Sequence, residues 1–168
     1  MTYKFVLLIA GAYLLGSVPA AYIAAKLALG IDIREYGSGN VGGSNLLKVA
    51  PKWISAVAFT YDVIKGILPV WLARILGLNL ASQVVVGLAA ISGHNWSVFL
   101  GFSGGRGIAT TLGVTLSLMP KLALILLGVV VGSIPFHQMP LVTLIALRLF
   151  PLAGWFSRIP WVGWLLGW

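Results

Sequence analysis

The sequence predicts an all-α integral membrane protein, a bundle of about six or seven transmembrane helices with two glycine-rich cytoplasmic loops. Three observations predict it. Hydrophobic residues make up 60% of the 168 and charged residues only 8%, against roughly 25% charged in an ordinary soluble domain. Apolar runs recur at lengths near the ~20 residues that cross a bilayer. Two clusters of glycine and small polar residues, 37–45 and 101–107, interrupt those runs. A chain so poor in charge cannot cover its surface for water, so the solvent it faces is mostly lipid. The length leaves no room for a separate soluble domain, and residues 1–168 read as a single polytopic domain.

The first span runs from about Lys4 to Leu29. It is too long for a signal-peptide core and no clear cleavage site ends it. Pro19 inside it predicts a kink. The longest polar stretch, Gly30 to Lys52, follows. The second span, about Trp53 to Leu76, carries Asp62 and Lys65 in its middle. A turn at Gly77-Leu78-Asn79 leads to a third span, about Leu80 to Leu100, with a polar break at Ser92-Gly93-His94-Asn95. The loop GFSGGRG then leads to a fourth span ending near Met119. Beyond it, Pro120-Lys121 opens an apolar run to Ile134. Pro135 to Pro140 interrupts the chain, a further run ends near Phe150, and the tail holds Trp155, Trp161, Trp164 and Trp168. Tryptophan favours the membrane interface, so the tail is expected to be a short span or an interfacial helix.

Charge is one-sided: eleven Lys and Arg against three acidic residues, net +8. The basic residues are scattered through apolar sequence, which speaks against nucleic acid and for loop anchoring and anionic ligands. The two glycine loops are separated by two spans and so lie on one side. Lys26, Arg34, Lys48, Lys52 and Arg106 gather there, against Lys4, Arg74 and Lys121 opposite, a bias that places these loops in the cytoplasm. The absence of cysteine excludes disulfides, thiol nucleophiles and thiolate metal sites. Two isolated histidines, His94 and His137, do not make a metal site, and no cofactor is implied.

The candidate chemistry sits in the loops. Gly37, Ser38, Gly39, Asn40, Gly42, Gly43, Ser44 and Asn45 combine inward-turning amides with neutral donors, an anion-binding composition. Lys48 adds a charge, expected in the first turn of a helix whose N-terminus favours anions. Gly104, Gly105 and Gly107 flank Arg106, whose guanidinium fork suits phosphate oxygens, just before an expected helix start. It is not a Walker loop, because the Lys-Ser/Thr pair is missing. Asp62 and Lys65 are three apart and share a helix face as an ion pair or a functional pair. His94 is placed to donate to phosphate, shuttle a proton or hold a neighbouring loop. The HxxxxD signature of soluble-type glycerolipid acyltransferases is absent.

These motifs resemble a known family. The run GIDIREYGSGNVGGSNLLK is similar to the first motif, close to GSGNxGATNxxR, of the bacterial acyl-phosphate:glycerol-3-phosphate acyltransferases. The segments GSVPAAYIAAKL, DVIKGILPV and GHNWSVFLGFSGGRGIATTLG match it in order and spacing, so the resemblance covers about residues 11–118. Gly43-Ser44 replaces the family's Ala-Thr, Lys48 its Arg, and Ser103-Gly104-Gly105-Arg106 its Lys-Gly-Gly-Lys. The Lys48 and Arg106 exchanges keep charge but change hydrogen-bond geometry. The family's C-terminal HRxNIxRLxxGxE-like run has no match before Trp168, which implies truncation or a different ending. The resemblance implies transfer of a fatty acyl group from acyl phosphate to the sn-1 hydroxyl of glycerol 3-phosphate, giving lysophosphatidic acid and phosphate, in a bacterial inner or plasma membrane. Membrane lipids would be its other partners. Ser38, Lys48 and Arg106 would be catalytic, the remaining loop residues and His94 would bind substrate, and Asp62 and Lys65 would support them. A small transporter of anionic lipid-like solutes, or a non-catalytic relative, is the competing reading.

Overall fold

Proline at position 19 removes a helix donor and splits the first apolar run. In the computed structural model, which describes residues 2–121 together with 123, 124 and 128, α1 spans Thr2–Ser17 and α2 spans Ala20–Leu29. The predicted kink is therefore a full break at Val18-Pro19. Gly30, at φ 71°, caps α2 through its amide on the Lys26 carbonyl. A 3₁₀ turn, Ile33–Glu35, and the short α3, Gly43–Val49, follow. Then come α4, Lys52–Ile75, and α5, Leu80–Asn95. A second 3₁₀ turn, Val98–Leu100, precedes α6, Ile108–Leu118. All described elements are helical.

Two stretches, Tyr3–Leu29 and Lys52–Ile75, are long and apolar enough to cross a membrane. The 16 residues of α5 and the 11 of α6 rise about 24 and 16 Å, short of a ~30 Å hydrocarbon core. The expected polar break at 92–95 is instead the last turn of α5, where Gly93 packs on the α1 backbone and His94 is buried. Asn79 accepts from the Ser82 amide at 2.9 Å and starts α5 where the turn was predicted. Residues 1–118 form one compact unit and 119–168 a second; α1 to α6 belong to the first. The expectations for the chain beyond Lys121 lie, but for 123, 124 and 128, outside the described residues. They are the run to Ile134, the interruption with His137, the run to Phe150 and the tryptophan tail.

The helices meet through small residues. Between lipid-facing helices there is little hydrophobic drive, so close backbone approach supplies the contact. A Cβ on Gly93 would strike the backbone of α1 at Tyr13 and Ser17, and one on Gly113 the α4 backbone at Val63. Ala12, Ala73, Val86 and Ala90 form one buried cluster among α1, α4 and α5. A second cluster joins Ala21 and Ala25 of α2, Ile33 and Val41 of the first loop, Leu46 of α3, and Ile54 and Ala58 of α4. Leu100, from the segment after α5, packs on it. That contact puts both glycine-rich loops at one end of the bundle, as the span count required.

Replacing Gly113 with alanine should lower stability by about 2 kcal/mol, because the α4 backbone has to move. Gly11→Ala, with nothing within 4 Å of the new Cβ, should raise it by about 0.5–1 kcal/mol. Thermal unfolding of both variants in detergent checks the contrast, and equal effects would show that the crossing is not tight.

Candidate active site

The first loop, residues 36–42, is held from below by one side chain. Asn45, fully buried on α3, accepts from the Ser38 amide at 2.9 Å. Its Nδ2 donates to the carbonyls of Tyr36 at 2.9 Å and Ile33 at 3.2 Å. Gly37 and Gly39 have φ of 60° and 70°, the left-handed region that lets the chain fold around this amide. A Cβ on Gly37 would collide with Asn45 Oδ1. Asn45 is thus spent on the loop rather than offered to a ligand. Ser38, Ser44 and Lys48 are exposed, Gly42 precedes α3, and Asn40 is half-buried with Oδ1 enclosed and unpaired. Lys48 lies in the last turn of α3, not the first turn as expected. The helix begins at Gly43, right after the glycine run, so the lysine is already near its end.

Asp32 and Arg34 bracket the same loop. Arg34 donates from Nε and Nη2 to the Asp32 carboxylate, the latter at 2.6 Å, and stands 5.3 Å above the Tyr22 ring. These hydrogen bonds to Arg34, from side chain and backbone, hold the Asp32 carboxyl down at about 2. Its contribution is present above the ordinary carboxylate value and is lost only as pH falls through about 2, so the bracket stands at neutral pH. Arg34 is engaged in that bracket. Lys48 and Arg106 form no hydrogen bond or ion pair with any described residue.

Behind the second loop lies a buried polar cluster. Lys65, 1% exposed, is 2.7 Å from Asp62 Oδ1 and donates to the Val18 carbonyl at 2.8 Å. Val18 is the residue at which α1 and α2 part, so its carbonyl has no α-helical i+4 partner. The Asp62 oxygen is also 3.5 Å from His94 Nδ1, yet no aligned hydrogen bond reaches it. His94 in turn supports the loop. Its carbonyl accepts from the Gly105 amide at 3.0 Å, and its ring lies where a Gly105 Cβ would be. Gly104 and Gly107 likewise pack on Asn95, and Gly107 has φ 74° just before α6. Arg106, between them, is exposed.

The structure therefore brings Asp62, Lys65, His94, Gly104 and Gly105 together and leaves Ser38, Lys48 and Arg106 on the surface of the same end. Three contributors were not singled out from sequence. Ser97 Oγ donates to the Ser17 carbonyl at 2.5 Å, Tyr13 donates to the Trp96 carbonyl at 2.7 Å, and Asn95 underlies Gly107. All act across more than ten residues or through contact alone, and a single sequence carries no signal for them. Among the described residues, no group of three or more His, Asp and Glu could hold a metal.

A family model described as glycerol-3-phosphate acyltransferase matches residues 6–167. Glycerol-3-phosphate acyltransferase 5 of Dehalococcoides mccartyi is 49% identical over 139 residues, which cover 83% of this chain and 60% of that one. The glycerol-3-phosphate acyltransferase of Halalkalibacterium halodurans is 40% identical over 164 residues, covering 90% and 77%. The crystal structure of PlsY (YgiH), an integral membrane glycerol 3-phosphate acyltransferase, superposes in its glycerol 3-phosphate form with TM-score 0.81 at 34% identity, over 89% of this chain and 78% of that one. Its lysophosphatidic acid form gives 0.76. The chain spans about three fifths of the length of the first of these relatives.

Replacing Asn45 with leucine leaves the Ser38 amide without its partner and takes one hydrogen bond each from the Tyr36 and Ile33 carbonyls, which keep the Gly39 and Tyr36 amides. A loss of about 3 kcal/mol is expected, with the Ser38 amide losing protection in hydrogen exchange. An unchanged exchange rate would show that Asn45 does not hold the loop.

Proposed function

The chain belongs to the glycerol-3-phosphate acyltransferase family, and from that premise we propose that it transfers a fatty acyl group from acyl phosphate to the sn-1 hydroxyl of glycerol 3-phosphate. The products are lysophosphatidic acid and inorganic phosphate, a step of phospholipid synthesis. The protein would be a multi-pass protein of the cell membrane, with both glycine loops at its cytoplasmic surface. The observation that carries the reading is the pairing of two braced glycine loops at one end of an apolar bundle, each next to an exposed cation, Lys48 or Arg106, without a partner among the described residues.

Both substrates carry phosphate and one carries a fatty chain, so the site needs anion binding at the membrane surface above an apolar bundle. Backbone amides around Gly37, Gly39 and Gly42, with the Asn40 and Ser44 side chains, would contact one phosphate. Lys48 and Arg106 would neutralise charge, and Ser38 would position the reacting groups. Acyl phosphate is a mixed anhydride and is already activated. The sn-1 oxygen forms a bond to the acyl carbon, the bond from that carbon to the phosphate oxygen breaks, and phosphate leaves with the electron pair. The hydroxyl proton ends on a phosphate oxygen, so no protein nucleophile is required. Positioning and charge stabilisation supply the rate. Asp62, Lys65 and His94 would hold the second loop rather than touch the reacting atoms. A transporter would need open polar groups at its helix break, whereas Lys65 fills the Val18 carbonyl.

Purified protein in lipid, given glycerol 3-phosphate and palmitoyl phosphate, should release lysophosphatidic acid and phosphate in equal amounts and should not use palmitoyl-CoA. Lys48→Ala and Arg106→Ala should each raise KM for glycerol 3-phosphate by about tenfold or more, the worth of one charge-assisted hydrogen bond. Transfer from the thioester, or no product from a folded sample, would contradict the reading.

A further inference from the structure

Residues 96–103, between α5 and the second glycine loop, form a small hairpin. Ser97 and Ser103 face each other as an antiparallel bridge, and the Ser97 carbonyl accepts from the amides of Leu100 and Phe102 at 3.1 and 2.8 Å. The base is tied to the bundle at three points. Ser97 Oγ donates to the Ser17 carbonyl, Tyr13 donates to the Trp96 carbonyl, and Leu100 packs on the cluster that seats the first loop. Trp96, Phe99 and Phe102 are nevertheless more than half exposed. At the tip the Ser103 amide closes a turn on the Leu100 carbonyl, with Gly101 and Phe102 at φ of 63° and 62°. Turns of this kind ordinarily take glycine or asparagine at both places. Among the described residues Phe102 alone has a positive φ without being glycine. With 64% of its surface exposed, it has little packing within the protein to offset that strain.

Helix rise sets the depth of the hairpin. α1 and α5 have 16 residues each, and both end at its base. Their rise of about 24 Å leaves ~6 Å of a ~30 Å hydrocarbon core on that side. We propose that the hairpin fills this layer, with the rings of Trp96, Phe99 and Phe102 in the lipid of the glycine-loop leaflet, at the boundary of acyl chains and headgroups, where they hold the second glycine loop at headgroup level. Three features select lipid over water or a soluble protein. Leu80, Val84 and Leu88 are exposed on α5 at four-residue spacing, and Trp96 continues that row two steps on, so the patch extends a lipid-facing surface. From Asn95 to Gly105 there is no charged residue to form the rim of a protein interface. Non-helical chain at membrane depth needs its polar groups met from within the protein, and the amides of Trp96, Leu100, Phe102, Ser103 and Gly105 all have carbonyl acceptors. Moving the Phe102 ring from water into this layer offsets the strain of its backbone. On the acyltransferase reading given above, that depth would bring Arg106 level with lipid-borne phosphates; the depth itself holds whether or not that reading does.

The chain has no cysteine, so one nitroxide-labelled cysteine reports depth in the whole protein, held in phosphatidylcholine nanodiscs. Labels at Phe99→Cys and Phe102→Cys should collide with dissolved oxygen more often than with a water-soluble nickel chelate. A label at Glu35→Cys, exposed just before the first loop, should show the reverse order. Labels at 99 and 102 that behave like the one at 35 would put the hairpin in water, and labels shielded from both reagents would put it under protein. Either result overturns the proposal. A cysteine at 102 also alters the strained turn, so unsubstituted protein supplies a second measurement. Phosphatidylcholine with a photoreactive diazirine near the glycerol end of its acyl chain should label residues 96–102 severalfold more than residues 37–42. Equal labelling of the two segments, or none at 96–102, would contradict the proposed depth.

Discussion

One buried ammonium group ties the bundle together. Pro19 breaks the first helix, and the Val18 carbonyl, deprived of its α-helical partner, keeps only the Ala20 amide at 3.1 Å from its own chain, with no water in lipid to fill its second lone pair. Lys65 reaches across from α4 and donates to it. An unpaired ammonium at that depth is itself untenable, so Asp62, one turn earlier on the same helix, sits 2.7 Å away. The carboxylate then lies beside His94, and His94 carries the second glycine loop. Helix break, ion pair, histidine and loop form one chain of contacts.

The two loops are built by the same logic with different parts. In the first, Asn45 replaces a ligand's worth of hydrogen bonds and keeps the backbone amide of Ser38 fixed. In the second, His94 and Asn95 fill the space that Gly104, Gly105 and Gly107 leave. In both, the buried polar side chains hold the backbone while the exposed ones, Ser38, Lys48 and Arg106, stay available to a ligand. On the proposed reading, this division would preorganise the loops for an anion at a surface where free lysines alone would be mobile and fully hydrated.

Much of the frame was legible in the sequence because it depends on local signals. Apolar run length gave α1 with α2 and α4 to within a few residues. Pro19 marked the break, Gly77-Leu78-Asn79 the turn, and the glycine clusters the loops. Spacing of three put Asp62 and Lys65 on one face, and they are indeed paired. The readings that moved depend on tertiary partners. Ser92 to Asn95 looked like an interruption of an apolar run, yet in a bundle interior the same polar residues complete a helix. Lys48 was put one turn too early, because α3 starts directly after the glycines. Contacts through Gly93 and Gly113 and the 32-residue step from Asp62 to His94 leave no periodic trace in a single sequence.

The most direct measurement is thermal unfolding of Lys65→Met beside the double variant Asp62→Asn/Lys65→Met, in lipid nanodiscs, with amide exchange followed at Gly105. Removing Lys65 alone strands the Asp62 charge and takes one of two hydrogen bonds from the Val18 carbonyl, and a loss of about 3–5 kcal/mol is expected, with faster exchange at Gly105. Neutralising Asp62 as well should return part of that stability, because the stranded charge is gone while the hydrogen bond from Lys65 to the Val18 carbonyl is still missing. A single variant that melts with wild-type protein and leaves Gly105 protected would contradict the dependence of the bundle on this one contact.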